Sequence, residues 1–148
     1  MEQDLAAQRD AALQMAARLF EARKLYKQGV MLLAGNEYRQ AGALIARAAQ
    51  MGESAAQDHL GYLYEHGFFG EPDIVEAVRW YRRAADQCLA NGQFHLGACY
   101  QMGSGVEQNW EEAARLFGLA ARMGHPEAAD GLQMLRDMGV DEAPAPQG

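Results

Sequence analysis

Apolar residues in this chain recur at steps of three and four, the spacing of helices that bury one face. Leu60, Leu63 and Tyr64 form one such stripe, and Leu96, Cys99 and Tyr100 repeat it. A second kind of stripe follows each: Ala77, Trp80, Tyr81 and Ala84, then Ala113, Leu116, Phe117 and Ala120. Gly67 and Gly103 stand after the first stripes, where a residue in the left-handed conformation ends a helix. Asp73 and Asn109 precede the second stripes, each followed three residues later by a glutamate, Glu76 or Glu112. That is capping-box spacing, in which two side chains satisfy reciprocal backbone amides. No strand-like alternation of useful length appears, so the pattern predicts an all-α chain.

These coincidences share one shift. Leu60-Gly61 maps onto Leu96-Gly97, Tyr64 and Gly67 onto Tyr100 and Gly103, and Ala84-Ala85 onto Ala120-Ala121. The register runs back through Ala41, Leu44, Ile45, Ala48 and Ala49, and forward to Leu132 and Gly139. A repeat of this length means stacked helix pairs, each burying its apolar face only against the next. Small residues at Gly61, Ala77 and Ala84 let helices approach closely, and the aromatics fill the gaps between units.

Read by its motifs, L-G-x-x-Y-x-x-G followed by A-x-x-W/L-Y/F-x-x-A-A, the chain resembles the Sel-one-like repeat, a branch of the tetratricopeptide superfamily. The copy at 92–127 matches nearly throughout, with Gly103-Ser104-Gly105-Val106 and the ending Ala120-Ala121-Arg122-Met123-Gly124-His125-Pro126. The copy at 56–91 departs twice: Phe68-Phe69-Gly70 replaces the glycine turn, and Cys88 stands where Gly124 stands in the other copy. Residues 22–52 are closer to an ordinary tetratricopeptide unit, with Gly29, a turn at Ala34-Gly35-Asn36-Glu37-Tyr38, then Ala41, Ile45 and Ala48. The resemblance implies a short right-handed α-solenoid of such helix pairs, with an extra N-terminal helix and a C-terminal capping helix. Its divisions are an N-terminal helix at 1–21 continuous with the first repeat, a repeat domain at 22–139, and a disordered tail at 140–148. Along 3–21, Leu5, Ala12, Leu13, Ala16, Leu19 and Phe20 share one side. That helix either caps the end of the solenoid or protrudes for dimerisation or partner docking.

Charge narrows the choice of partner. The net charge is −7, which argues against the basic surface that nucleic acid requires. It is also uneven, +2 over residues 1–50 and −9 over residues 51–148. No apolar run is long enough to span a membrane. The opening MEQDLAAQRD lacks the basic start and apolar core of a secretory signal, so the expectation is cytoplasmic, though a removed signal is compatible with it. A bacterial source is expected separately, with the adaptor reading. Cys88 and Cys99 are expected out of register for a disulfide, hence free thiols in a reducing compartment.

Candidate chemistry is sparse. Neither Ser54 nor Ser104 sits in a nucleophile motif, and Gly103-Ser104-Gly105 lacks a phosphate-binding lysine and reads as the repeat turn. Glu111 and Glu112 fall in a first helical turn, where they complement the dipole. His125 reads as a solvent-exposed turn residue before the last helix. His95 and Cys99 are four apart, which is ligand spacing, and His59 is the equivalent of His95 one repeat earlier. A metal-dependent activity at His95 is therefore one alternative, but Cys99 lies on the apolar stripe, where a buried thiol is a small hydrophobe. The expectation is no catalytic residue, no metal and no cofactor.

The resemblance implies that the first helix of each unit lines a concave groove in which a protein or peptide binds. By register that face comprises Asp58, His59, Tyr62, Glu65 and His66, then Phe94, His95, Ala98, Gln101 and Met102, with Lys27, Val30 and Met31 nearby in the first unit. Tyr62, Phe94, His59 and His95 are the expected anchors, for a basic or apolar partner. Phe68 and Phe69 are a second candidate contact, in the atypical turn. The reading is a non-enzymatic interaction module, monomeric or dimeric through its N-terminal helix. A narrower alternative is a secretion chaperone or toxin-neutralising immunity protein that masks its partner.

Overall fold

A computed structural model describes residues 1–147. Those residues form seven α-helices and no strand: α1 (Glu2–Ala34), α2 (Tyr38–Gln50), α3 (Ser54–Glu65), α4 (Ile74–Asp86), α5 (Ala90–Met102), α6 (Trp110–Arg122) and α7 (Pro126–Asp137). The fold class is thus all-α, in consecutive helix pairs. The chain divides into two compact units, one ending at Gln57 and the other beginning at Asp58.

In the first unit α1 packs on α2. Ala22, Leu25 and Gly29 are buried on one side of α1, and Ala41, Gly42, Ile45, Ala48 and Ala49 on the facing side of α2. Contact is close because Gly29 has no side chain: a Cβ there would lie 2.8 Å from Cγ1 of Ile45. The connecting turn places Asn36 at φ 63°, and Tyr38 Oη donates to its side-chain oxygen. Gln57 Nε2 donates to the Ala49 carbonyl at 3.2 Å. Every residue from Met1 to Arg18 is exposed. Leu5 and Leu13 are 62% exposed and Phe20 72%, so the first half of α1 is not covered by α2.

The second unit follows the duplicated pattern. Asp73 caps α4 by accepting from the Glu76 amide at 3.0 Å, and Asn109 caps α6 through Glu112 in the same way. The reciprocal half of the capping box is not formed. Each cap's own N–H instead donates backwards, Asp73 to the Tyr64 carbonyl and Asn109 to that of Tyr100, both at 2.9 Å. The glutamates turn outward to Arg79 and Arg115. Because the cap amide already has an acceptor on the preceding helix, the bond that ties the two helices replaces the local one.

Two apolar clusters hold these helices. One gathers Ala77, Val78, Tyr81, Leu96, Cys99 and Leu116, and the other Ala113, Phe117, Ala128, Leu132, Leu135 and Val140. Helix approach again depends on absent side chains. A Cβ on Gly61 would meet the Tyr81 ring at 2.7 Å, and one on Gly97 the Phe117 ring at 2.8 Å. Gly67 and Gly103 end α3 and α5 at φ 72° and 68°. Cys88 occupies the turn position of Gly124, and it too is left-handed, at φ 62°. A thiol therefore tolerates there what glycine does at no steric cost.

Beyond α7, residues 140–147 form no helix. Val140 is buried, Ala143 N–H donates to the Glu111 carbonyl at 2.9 Å, and Glu142 pairs with Arg136 at 3.2 Å and Arg122 at 3.9 Å. Residue 148 of the tail expected from sequence lies outside the described residues.

Candidate partner-binding face

In the second unit α3 and α5 carry the side chains that the repeat register singles out. Helical geometry puts Asp58 and Tyr62 in one row on α3, continued by His66 just past its end, and Phe94, Ala98 and Met102 in one row on α5. The two rows are joined. His95 Nδ1 donates to Asp58 Oδ1 at 2.7 Å, and the His95 ring stacks on Tyr81 with centroids 4.9 Å apart. Tyr81, fully buried on α4, donates its hydroxyl to Glu65 Oε2 at 2.5 Å. Asp58, His95, Tyr81 and Glu65 thus form a polar floor linking three helices.

The electrostatics follow from that floor. Burial pulls the His95 imidazole down, but the Asp58 hydrogen bond and negative charge outweigh it, so its pKa stands above the ordinary histidine value. His59 goes the other way: burial lowers it despite the same carboxylate. The Tyr81 hydroxyl is pushed up by burial and then by its bond to Glu65, so it stays protonated. Burial, reinforced by the charge of Glu65, pushes the Cys99 thiol up to about 11.

The sequence-selected residues divide into two sets. Tyr62 is 47% exposed and Met102 73%, and His66 is exposed with its ring stacked on Tyr62 at 4.0 Å. His66 Nδ1 also lies 2.9 Å from the Tyr62 carbonyl. His59, Glu65, Phe94, His95, Ala98 and Gln101 are half-buried, and Asp58 is buried. Asp58 therefore belongs to the floor rather than to the exposed rim. The Gln101 carbonyl accepts from Gln108 Nε2 at 2.9 Å and Trp110 Nε1 at 3.2 Å. Phe94 lies between rings, stacked on His125 at 4.5 Å and tilted against Phe117 at 5.7 Å.

His125 corrects the expectation of a free turn residue. It is half-buried and caps α7, its Nδ1 accepting from the Ala128 amide at 3.2 Å. The Ala128 amide in the first turn of α7 has no acceptor within the helix and takes His125 instead, and Phe94 stacks on the ring. In the atypical turn Phe68 is half-buried and Phe69 48% exposed, their rings edge-on at 5.2 Å, and Phe69 also packs on Tyr64 at 5.0 Å. Tyr81 and Glu65 complete the floor. Sequence spacing assigned Tyr81 to the core, which is where it lies, but not the hydroxyl contact that a buried tyrosine requires.

No metal centre is assembled from His59, His95 and Cys99. Cys99 is buried among Ala77, Val78 and Leu116, and among the described residues no three His, Cys, Asp or Glu side chains are grouped to hold an ion. Cys88 is an exposed free thiol and Cys99 a buried one. Among those residues no helix is long and apolar enough to cross a membrane.

Comparison with known proteins agrees with the repeat architecture. Residues 54–87 and 90–125 match the Sel1 repeat. A relative from Rattus norvegicus, DAP3-binding cell death enhancer 1, is 37% identical over 101 residues, 67% of this chain but 19% of its own length. Thus the chain spans about a fifth of that relative. Among solved structures, a Sel1 repeat protein from Oxalobacter formigenes superposes with a TM-score of 0.74 at 32% identity, covering 79% of this chain and 48% of its own. The protective antigen c5321 of uropathogenic Escherichia coli, which displays the same repeat fold, gives 0.76 at 29% identity, covering 81% and 27%. The matches thus come from a mammal as well as from bacteria.

Proposed function

Because this chain is a Sel1-like repeat protein of the tetratricopeptide-like superfamily, whose members generally mediate protein–protein interactions, we propose that it binds a protein partner through the α3–α5 face of its second unit. The observation that carries the reading is the contrast between rim and floor. Tyr62, His66 and Met102 are exposed, while beneath them Asp58, His95, Tyr81 and Glu65 hold one another in place. Large side chains on a rigid, hydrogen-bonded base bind with little ordering cost, which is how preorganised surfaces gain affinity. The partner is an apolar segment or helix carrying a basic group. Its apolar side chains meet Tyr62 and Met102, and its cation is drawn by Glu65 and by the acidity of residues 51–148.

No catalytic step is assigned to this face. The Asp58–His95 hydrogen bond is accounted for by its place in the floor, and burial holds the Cys99 thiol up to about 11. The test is affinity capture from the native lysate with the wild-type chain and with Tyr62→Ala/Met102→Ala. Loss of a specific partner from the variant supports the reading. Equal capture by both baits refutes it.

A further inference from the structure

The exposed half of α1 has features that the α3–α5 face does not use. Residues 2–10 carry Glu2, Asp4 and Asp10 against Arg9, a net −2. Residues 18–27 carry Arg18, Arg23, Lys24 and Lys27 against Glu21, a net +3. Between them AALQMAA has no charge at all and four alanines. The helix is therefore an acidic end, a neutral small-residue middle and a basic end.

Its faces are equally sorted. Ala22, Leu25 and Gly29 point toward α2. At 3.6 residues per turn, Ala6, Leu13, Ala16, Phe20, Lys24 and Lys27 lie on the opposite side. Leu13 is 62% and Phe20 72% exposed there. An unsupported helical arm of this length is marginal in water, so its apolar side chains gain by finding cover.

We propose that this arm is a self-association surface, pairing antiparallel with α1 of a second copy of the chain. The charge order selects both occupant and direction. A parallel pair sets the acidic ends together and the basic ends together, whereas an antiparallel pair lays each acidic end on the other's basic end. With Leu13 opposite Ala16 of the partner subunit, Glu2 falls beside the partner subunit's Lys27. In this register the paired residues 2–27 span about 39 Å. The alanines allow the axes to approach closely, and each α2 stays on the far side of the pair, against Ala22, Leu25 and Gly29.

The experiment is light scattering on the full chain across a concentration series, at low and at high salt. The mass is expected to rise from 16.2 kDa toward twice that value, more readily at low salt. Two variants dissect it, both at exposed positions and both checked for unchanged helicity by circular dichroism. Leu13→Asp is expected to weaken self-association at least about tenfold, and so is Lys24→Glu/Lys27→Glu, which makes the arm acidic at both ends. Mixing Lys24→Glu/Lys27→Glu with the complementary Glu2→Lys/Asp10→Lys chain is expected to restore a dimer that neither forms alone. A single-chain mass throughout, a dimer indifferent to both variants, or a mixture that stays monomeric each overturns the proposal.

Discussion

Gly97→Ala isolates the steric condition on which helix stacking rests. In an unconstrained helix interior this substitution stabilises by about 1 kcal/mol, since alanine loses less backbone freedom than glycine. Here the new Cβ would sit 2.8 and 2.9 Å from Cε1 and Cδ1 of Phe117 and 3.3 Å from Cβ of Leu116. Phe117 is 1% exposed and Leu116 3%, so neither has solvent to move into. Overpacking of a full core costs about 1–3 kcal/mol, enough to cancel the helix gain and exceed it. Two contacts under 3.0 Å against a buried ring put the cost here at the upper end, about 2–3 kcal/mol. The expected net loss is therefore about 1–2 kcal/mol, a fall in thermal midpoint of about 2–8 °C for a chain of this size. Thermal unfolding followed by circular dichroism measures it, with Gly35→Ala as the control. Gly35 has φ −85°, and its added Cβ would meet nothing closer than 3.6 Å, so that variant is expected to be neutral. Phe117→Leu in the Gly97→Ala background should recover part of the loss, giving a coupling energy in the double-mutant cycle. A Gly97→Ala chain as stable as the wild type or more so would refute the reasoning.

Other outcomes follow from the same contacts. Asp58→Asn removes the interaction that raises His95, so in an NMR titration the His95 pKa should fall toward or below the ordinary histidine value. With the folded-state pKa raised, the wild-type pair contributes its stability in full below the unfolded value of about 6.5 and loses it as pH rises through the folded one. Asp58→Asn should therefore cost more stability at pH 5 than at pH 9. In the native chain a thiol reagent at pH 8 should modify Cys88 quickly and Cys99 only on unfolding, because Cys99 is buried and its thiol held up to about 11. Two fast-reacting thiols would contradict that placement. Asp73→Ala should destabilise by about 1 kcal/mol in urea unfolding, through loss of the bond to the Glu76 amide.

Much of the fold was legible because repetition makes each position its own control. The stripe at Ala77, Trp80, Tyr81 and Ala84 reads as buried partly because Ala113, Leu116, Phe117 and Ala120 recur at the same offsets, and all eight are buried. Less legible was anything decided by two elements at once. The capping-box spacing identified the right caps, but could not show that Tyr64 and Tyr100 carbonyls take the amides that Glu76 and Glu112 would have accepted. His125 shows the same limit: as a residue before proline it reads as an exposed turn, and only Phe94, thirty-one positions earlier, turns it into a stacked cap. On the α3–α5 face, register located the rows, yet Asp58 and His59 are adjacent in sequence and differ in environment. Asp58 is tied down by His95 from the following repeat, and only the packed helices reveal that. Residues 1–18 posed the converse problem, since an amphipathic pattern specifies a face but not whether the chain itself covers it.

On the proposed reading, the exposed rim of Tyr62, His66 and Met102 receives the partner. Hydrogen exchange on the chain, free and saturated with a captured partner, tests it most directly. Added protection is expected in α3 and α5, with α1 and α7 unchanged relative to the free chain. Protection confined to α1 or α7, with α3 and α5 exchanging as before, would contradict it.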